Sequence, residues 1–197
     1  MDDIVKAAIA KWPNVPHCYG WLGLDARGNW YMRDDRAQAA GTFCAASSEP
    51  GRQVASKGSM LKHDKLIDFI QRNYESDERA AGSAKGQWFF QNGPQRVYVE
   101  LEATPFIWRI ASGPDFDVTA HTGQPARAQR CVLDEHGRVY LDTELGFGLV
   151  HTQDMLMAAD AIEQGLWVPQ EVVAHDLPER FGYVRSPEAV NKTLLIK

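Results

Sequence analysis

The sequence predicts an α+β fold, made of antiparallel β-hairpins and a β-meander with one helix packed per repeat, in two related subdomains. The first observation is that residues 21–31 and 131–140 read alike: apolar residues, Asp-x-x-Gly, one further residue, then an apolar–aromatic pair. Asp at the first position of a type I turn can bond the backbone ahead, and Gly at the fourth accepts positive φ. Each stretch therefore closes a β-hairpin with a short loop. A fainter third copy ends at Lys85, Gly86, Gln87, Trp88 and Phe89, with Asp77 set apart from it by an insertion. The second observation is helical periodicity after the hairpins, and the third is strict alternation from Val97 to Leu101. A lone hairpin cannot bury its aromatic face, whereas hairpins stacked on one another and on helices can.

Residues 3–12 are short and amphipathic, with Ile4, Val5, Ala8 and Ile9 at helical spacing and Pro13 ending the pattern. Pro13, Asn14, Val15 and Pro16 make a stiff turn into the first hairpin, residues 19–32. Residues 34–58 lose periodicity and are rich in small residues and turn formers, with a strand expected around Gly41, Thr42, Phe43 and Cys44. A structureless loop beyond ~15 residues is uncommon unless it is mobile or functional. Ser59 is the expected N-cap of the clearest helix, which carries Met60, Leu66, Ile67, Ile70 and Tyr74 on one face. Residues 75–85 read as polar and flexible.

Trp88, Phe89 and Phe90 enter a turn at Asn92-Gly93. Beyond it Val97, Val99 and Leu101 alternate with Tyr98, Glu100 and Glu102, the pattern of a half-buried strand whose carboxylates lie on a solvated face. Residues 106–110 predict a further strand, Gly113-Pro114 a turn, and Phe116 and Val118, alternating with Asp117 and Thr119, another strand. The hairpin at 131–142 is followed by a glycine loop, Gly146-Phe147-Gly148, leading to Thr152 as N-cap of a second helix through Glu163. Met155, Leu156, Ala159 and Ile162 form its apolar face and Gly165 ends it. Hairpin, loop and capped helix repeat the order of residues 19–74. Residues 167–169 and 181–184 read as extended segments, and 191–197 as a tail that docks through Leu194, Leu195 and Ile196. The expected division is an N-terminal subdomain 1–80, a C-terminal subdomain 81–185 and a tail 186–197.

The hairpins at 25–31 and 134–140, the helix after Ser59, and the strand 97–101 followed by Pro105-Phe106 resemble the layout of uncharacterised proteobacterial domain-of-unknown-function families. The resemblance covers roughly residues 20–165. It implies two related α+β subdomains and a role in signal transduction, and it attaches no catalytic residues.

Composition narrows the functional classes. Net charge is −5, from 26 acidic and 21 basic side chains, and no basic run offsets it. Such a surface repels phosphate backbones, so no nucleic-acid partner is expected. Three scattered cysteines, Cys18, Cys44 and Cys131, suit reduced thiols, and an acidic N-terminus with no long apolar run predicts a cytoplasmic protein without a membrane partner. Six histidines include no pair at metal-binding spacing, so neither metal nor cofactor is expected. Cys18 and Cys131 read as small apolar core residues rather than nucleophiles.

The candidate ligand-binding residues are Gly146, Gly148, His151, Thr152 and Gln153, with Trp108 and Arg109. Gly-Phe-Gly ahead of a helix partly mimics a dinucleotide loop, but His151 stands where a third glycine belongs. The free N–H groups of a helix start can still hold a carboxylate or phosphate, and replacing Gly148 by Val is expected to abolish binding while sparing the fold. Rings beside Arg109 suit a small ligand or a peptide. The leading expectation is a non-enzymatic regulatory module holding a small molecule or protein partner between two subdomains. A small hydrolase or transferase working near 146–153 is one alternative. A structural homo-oligomerisation unit is the other, with edge strands or the tail as glue.

Overall fold

The computed structural model describes residues 3–44, 55–77 and 85–195. The chain is α+β, with two mixed sheets among the described residues. It divides into two compact units: residues 1–25, 29–102 and 183–197 form the first, residues 26–28 and 103–182 the second.

The first unit opens with α1 (Asp3–Lys11), whose Val5 is fully buried. Strands β1 (Cys18–Leu24) and β2 (Trp30–Met32) form the expected antiparallel hairpin, with Leu24 opposite Trp30. Its turn follows the sequence reading. Asp25 accepts the Asn29 N–H at 2.8 Å, and Gly28 has φ +83°.

Four expectations in this unit are corrected. The aperiodic stretch contains a short helix, α2 (Asp35–Ala40), capped by the Asp34 carboxylate on the Ala37 N–H; small residues tolerate that helix, so periodicity never revealed it. Residues 41–44 are not a strand, and 45–54 lie outside the described residues. Ser59 does not cap a helix: β3 (Ser59–Met60) pairs with β2, and α3 (Asp64–Arg72) starts later, capped by His63. Tyr74 belongs to a strand, β4 (Tyr74–Ser76).

Strands β5 (Trp88–Asn92) and β6 (Gln95–Leu101) form the expected meander about Asn92-Gly93. β6 also runs parallel to β1, Leu22 opposite Val99, so among the described residues the sheet has six strands in the order β3-β2-β1-β6-β5-β4. The parallel pair is what a hairpin reading cannot foresee, because parallel neighbours are joined by distant crossovers. Nor is Glu100 solvated: it is 2% exposed. The reason is the tail, which is a helix, α6 (Pro187–Leu195), lying against β1 and β6. Glu100 accepts the Ser186 hydroxyl at 2.6 Å and the Glu188 N–H at 2.9 Å, placing a carboxylate on the helix N-terminus. Beside it Arg33, 0% exposed, donates to the carbonyls of Gly20, Gly41 and Ser56 and lies 3.6 Å from Glu188.

In the second unit the predicted strands appear as β7 (Phe106–Ile110), β8 (Val118–Ala120) and the hairpin β10 (Ala128–Asp134) with β11 (Val139–Thr143); β9 (Pro125–Ala126) pairs antiparallel with β8. Phe116 stands outside the strand, at φ 47°. The glycine loop is itself a strand, β12 (Gly146–Val150), antiparallel to β11 and parallel to β7. Glycine suits it because backbone and ring approach closely there. Thr152 is not the N-cap of the second helix. His151 caps a 3₁₀ turn (Thr152–Asp154), and α4 (Met155–Glu163) follows. Residues 167–168 lead into β13 (Pro169–Val172), parallel to β10, whereas α5 (Leu177–Arg180) precedes an irregular 181–184. The sheet order is β13-β10-β11-β12-β7-β8-β9. No helix among the described residues is long and apolar enough to cross a membrane.

Candidate functional site

α3 is strongly amphipathic: Leu66, Phe69 and Ile70 fall at i, i+3 and i+4 with Ile67 beside them, and Asp64, Lys65, Asp68, Gln71 and Arg72 make the polar face. This stripe faces the sheet of the first unit, where Phe69 meets Phe90 edge-to-face at 5.4 Å. The packing is incomplete. A cavity of about 250 Å³ remains, floored by Leu22 of β1, Phe90 of β5 and Val97 of β6, and roofed by Leu66, Phe69 and Ile70. Trp21 and Met32 form its open side, and both are about two-fifths exposed, at 38% and 42%. Its hydrogen-bonding side chains are the Cys18 thiol, the Asn92 amide and the Trp21 indole.

The hollow opens to solvent beside Trp21 and Met32, so its apolar walls are left against water, and covering them with an apolar group is favourable. A small-molecule site is a concave, mostly apolar hollow with a few polar groups that fix orientation. The cavity has that character. Nothing in the lining is charged, so it offers no compensation to a buried ion.

A more open hollow of about 370 Å³ lies in the second unit, bounded by Leu133, Asp134, Glu135, Glu171, Val172 and Val173. Its carboxylates are largely committed to the fold. Asp134 accepts the N–H groups of His136 and Arg138, the Arg138 guanidinium and the Tyr140 hydroxyl. Glu135 accepts the Ala174 N–H.

The structure gathers the residues singled out at 108–109 and 146–153 on adjoining strands, yet most serve packing. Trp108 is fully buried and donates its indole N–H to the Leu141 carbonyl at 3.0 Å. A Cβ on Gly148 would lie 2.6 Å from the Phe106 carbonyl oxygen and closer still to Trp108 Nε1, so valine there would disrupt the sheet rather than spare it. Gly146 accepts the Thr143 hydroxyl at the β11–β12 turn. His151 is buried and takes the Gln153 N–H on Nδ1, leaving Thr152 and Gln153 themselves exposed. Arg109 is bound to Asp154, whose carboxylate also accepts the Ile110 N–H at 3.1 Å. Burial would raise the Asp154 pKa, but Arg109, the Ile110 N–H and His151 outweigh it and hold it low. Asp154 immediately precedes α4, but its carboxylate makes no cap hydrogen bond to that helix and is turned instead onto Arg109 and the Ile110 N–H of β7.

Sequence reasoning missed Asp154 as the partner of Arg109, and missed the cavity altogether. The Leu66/Phe69/Ile70 stripe was the available signal, but a stripe that lines a void reads the same as one that fills it.

Comparison with known families then places the chain. A model of the family DUF2944, described as "Protein of unknown function (DUF2946)", matches residues 1–188. The chain belongs to that family. A crystal structure of a DUF1285 family protein from Silicibacter pomeroyi DSS-3 is similar to it at 12% identity and a TM-score of 0.46, covering 81% of this chain and 84% of that one. No curated protein matches the chain.

Proposed function

We propose that this chain is a non-enzymatic, ligand-binding regulatory module whose site is the cavity beneath α3. The observation that carries the reading is the cavity itself: about 250 Å³ of unfilled space with apolar walls and a mouth edged by Trp21 and Met32. Apolar walls left open to water gain free energy when an apolar occupant covers them. A lining whose polar groups are one thiol, one amide and one indole N–H, with no carboxylate or imidazole, supports binding over acid–base chemistry. A regulatory role fits a site roofed by a single nine-residue helix, since filling it fixes that helix on the sheet.

The test is a thermal-shift screen of chemically diverse metabolites on the wild type and on Leu66→Trp, which fills the hollow from the helix side. The reading expects compounds that raise the wild-type Tm and lose that effect in the variant. Stabilisation indifferent to Leu66→Trp, or absent from every class, would overturn it.

A further inference from the structure

We infer that the occupant of the α3 cavity is an uncharged hydrocarbon group of about eight to ten carbons, carried by a molecule whose polar end stays at the mouth; this rests on the cavity being the binding site. The size follows from volume. An apolar protein cavity of roughly 150 Å³ accepts benzene. A hollow of about 250 Å³ thus holds a group about two-thirds as large again.

Charge is excluded by the lining. Leu22, Leu66, Phe69, Ile70, Phe90 and Val97 surround the interior, and an ion pushed among them would lose hydration with nothing to replace it. Trp21, with its indole N–H, stands at the open side, and the other two polar side chains lie where the strands end: Cys18 begins β1 and Asn92 ends β5. Asn92 is exposed and so remains hydrated. An amide there can hold a hydroxyl, ester or amide group of the occupant without a formal charge. Medium-chain acyl groups and alkyl-substituted aromatic rings share this chemistry, and Trp21 at the open side would cover either.

Isothermal titration with straight-chain primary alcohols of four to twelve carbons tests the inference, with 4-alkylphenols and alkanoates as further arms. Affinity is expected to rise about fourfold per methylene and to stop rising near eight to ten carbons. The break should move to shorter chains in Leu66→Trp and to longer ones in Phe69→Ala, a readout that a merely weakened fold would not give. Alkanoates should gain nothing over alcohols of equal length. Alkylphenols binding tenfold tighter than alcohols would assign the ring as the source; the reverse would assign the acyl chain, and either outcome supports the class. A length dependence without a break, or one unmoved by both variants, overturns the inference. Should alcohols fail while a charged metabolite binds in a Leu66→Trp-sensitive way, the hydrocarbon assignment falls and the cavity reading stands.

Discussion

Tyr98 and Tyr140 each direct a hydroxyl 2.9 Å onto a buried carboxylate, Asp77 in one unit and Asp134 in the other. Each is the last residue of an Arg-Val-Tyr tripeptide, and the arginine of each, Arg96 or Arg138, reaches the same carboxylate at 2.7 Å. Asp25, Asn29 and Tyr31 make a looser version, with the tyrosine at 3.3 Å. Asp134, which ends β10, is thus tied by charge and phenol to the next strand, β11, whereas Asp77, just past β4, is tied to β6. Tyr98→Phe and Tyr140→Phe should each cost about 1 kcal/mol, the net worth of a buried hydrogen bond. Asp134→Ala should cost more, roughly 2–3 kcal/mol, because it strands several donors. Urea denaturation checks the order.

Asp134 also sets an acid limit. Burial would raise its pKa, but the Arg138 N–H, the Tyr140 hydroxyl and the Arg138 guanidinium prevail and hold it below the ordinary 3.8. A carboxyl with a lowered folded pKa contributes stability that is fully present above the unfolded value and is lost as pH falls through the folded one. Stability of the wild type should therefore drop below pH 3.8, and Asp134→Asn should lose much of that drop. Thermal unfolding at stepped pH measures both.

Glu100 has the opposite sign. Burial pushes its pKa above 4.5, although the Ser186 hydroxyl and the Glu188 N–H pull the other way. A raised folded pKa favours the fold most below the unfolded value and less as pH rises through the folded one. Glu100→Gln, which still accepts the Glu188 N–H, should lie within about 1 kcal/mol of wild type at pH 7 and compare worse at pH 4. Glu100→Ala should cost about 2 kcal/mol and loosen α6. Hydrogen exchange across residues 187–195 reports that loosening.

Gly148→Val should destabilise the second unit by about 3 kcal/mol or more, since the Phe106 backbone cannot yield to a side chain. Loss of cooperative unfolding, or of soluble yield, is the expected result.

Local chemistry was legible in the sequence wherever it acts over a few residues. Asp25 with Gly28 and Asp134 with Gly137 fixed two turns, and each hairpin formed as read. Alternation placed Val97, Val99 and Leu101 on a common strand but left Glu100 apparently solvated, because what covers it arrives from residue 186 onward. Glycine misled at 146–148: it marks a strand pressed against Trp108 where a loop was expected. The site was illegible for the same reason as the parallel pairings. A void is a property of three elements brought together, and none of them spells it alone.

The rate at which iodoacetamide modifies Cys18, followed by intact-protein mass spectrometry with and without saturating 1-octanol, tests the cavity most directly. Burial pushes the Cys44 and Cys131 thiols up to about 11, which keeps them slow, so Cys18 at the mouth is the site to watch. The account predicts at least a tenfold slowing at Cys18 when the hollow is filled. An unchanged rate at a concentration that calorimetry shows to be saturating would contradict it.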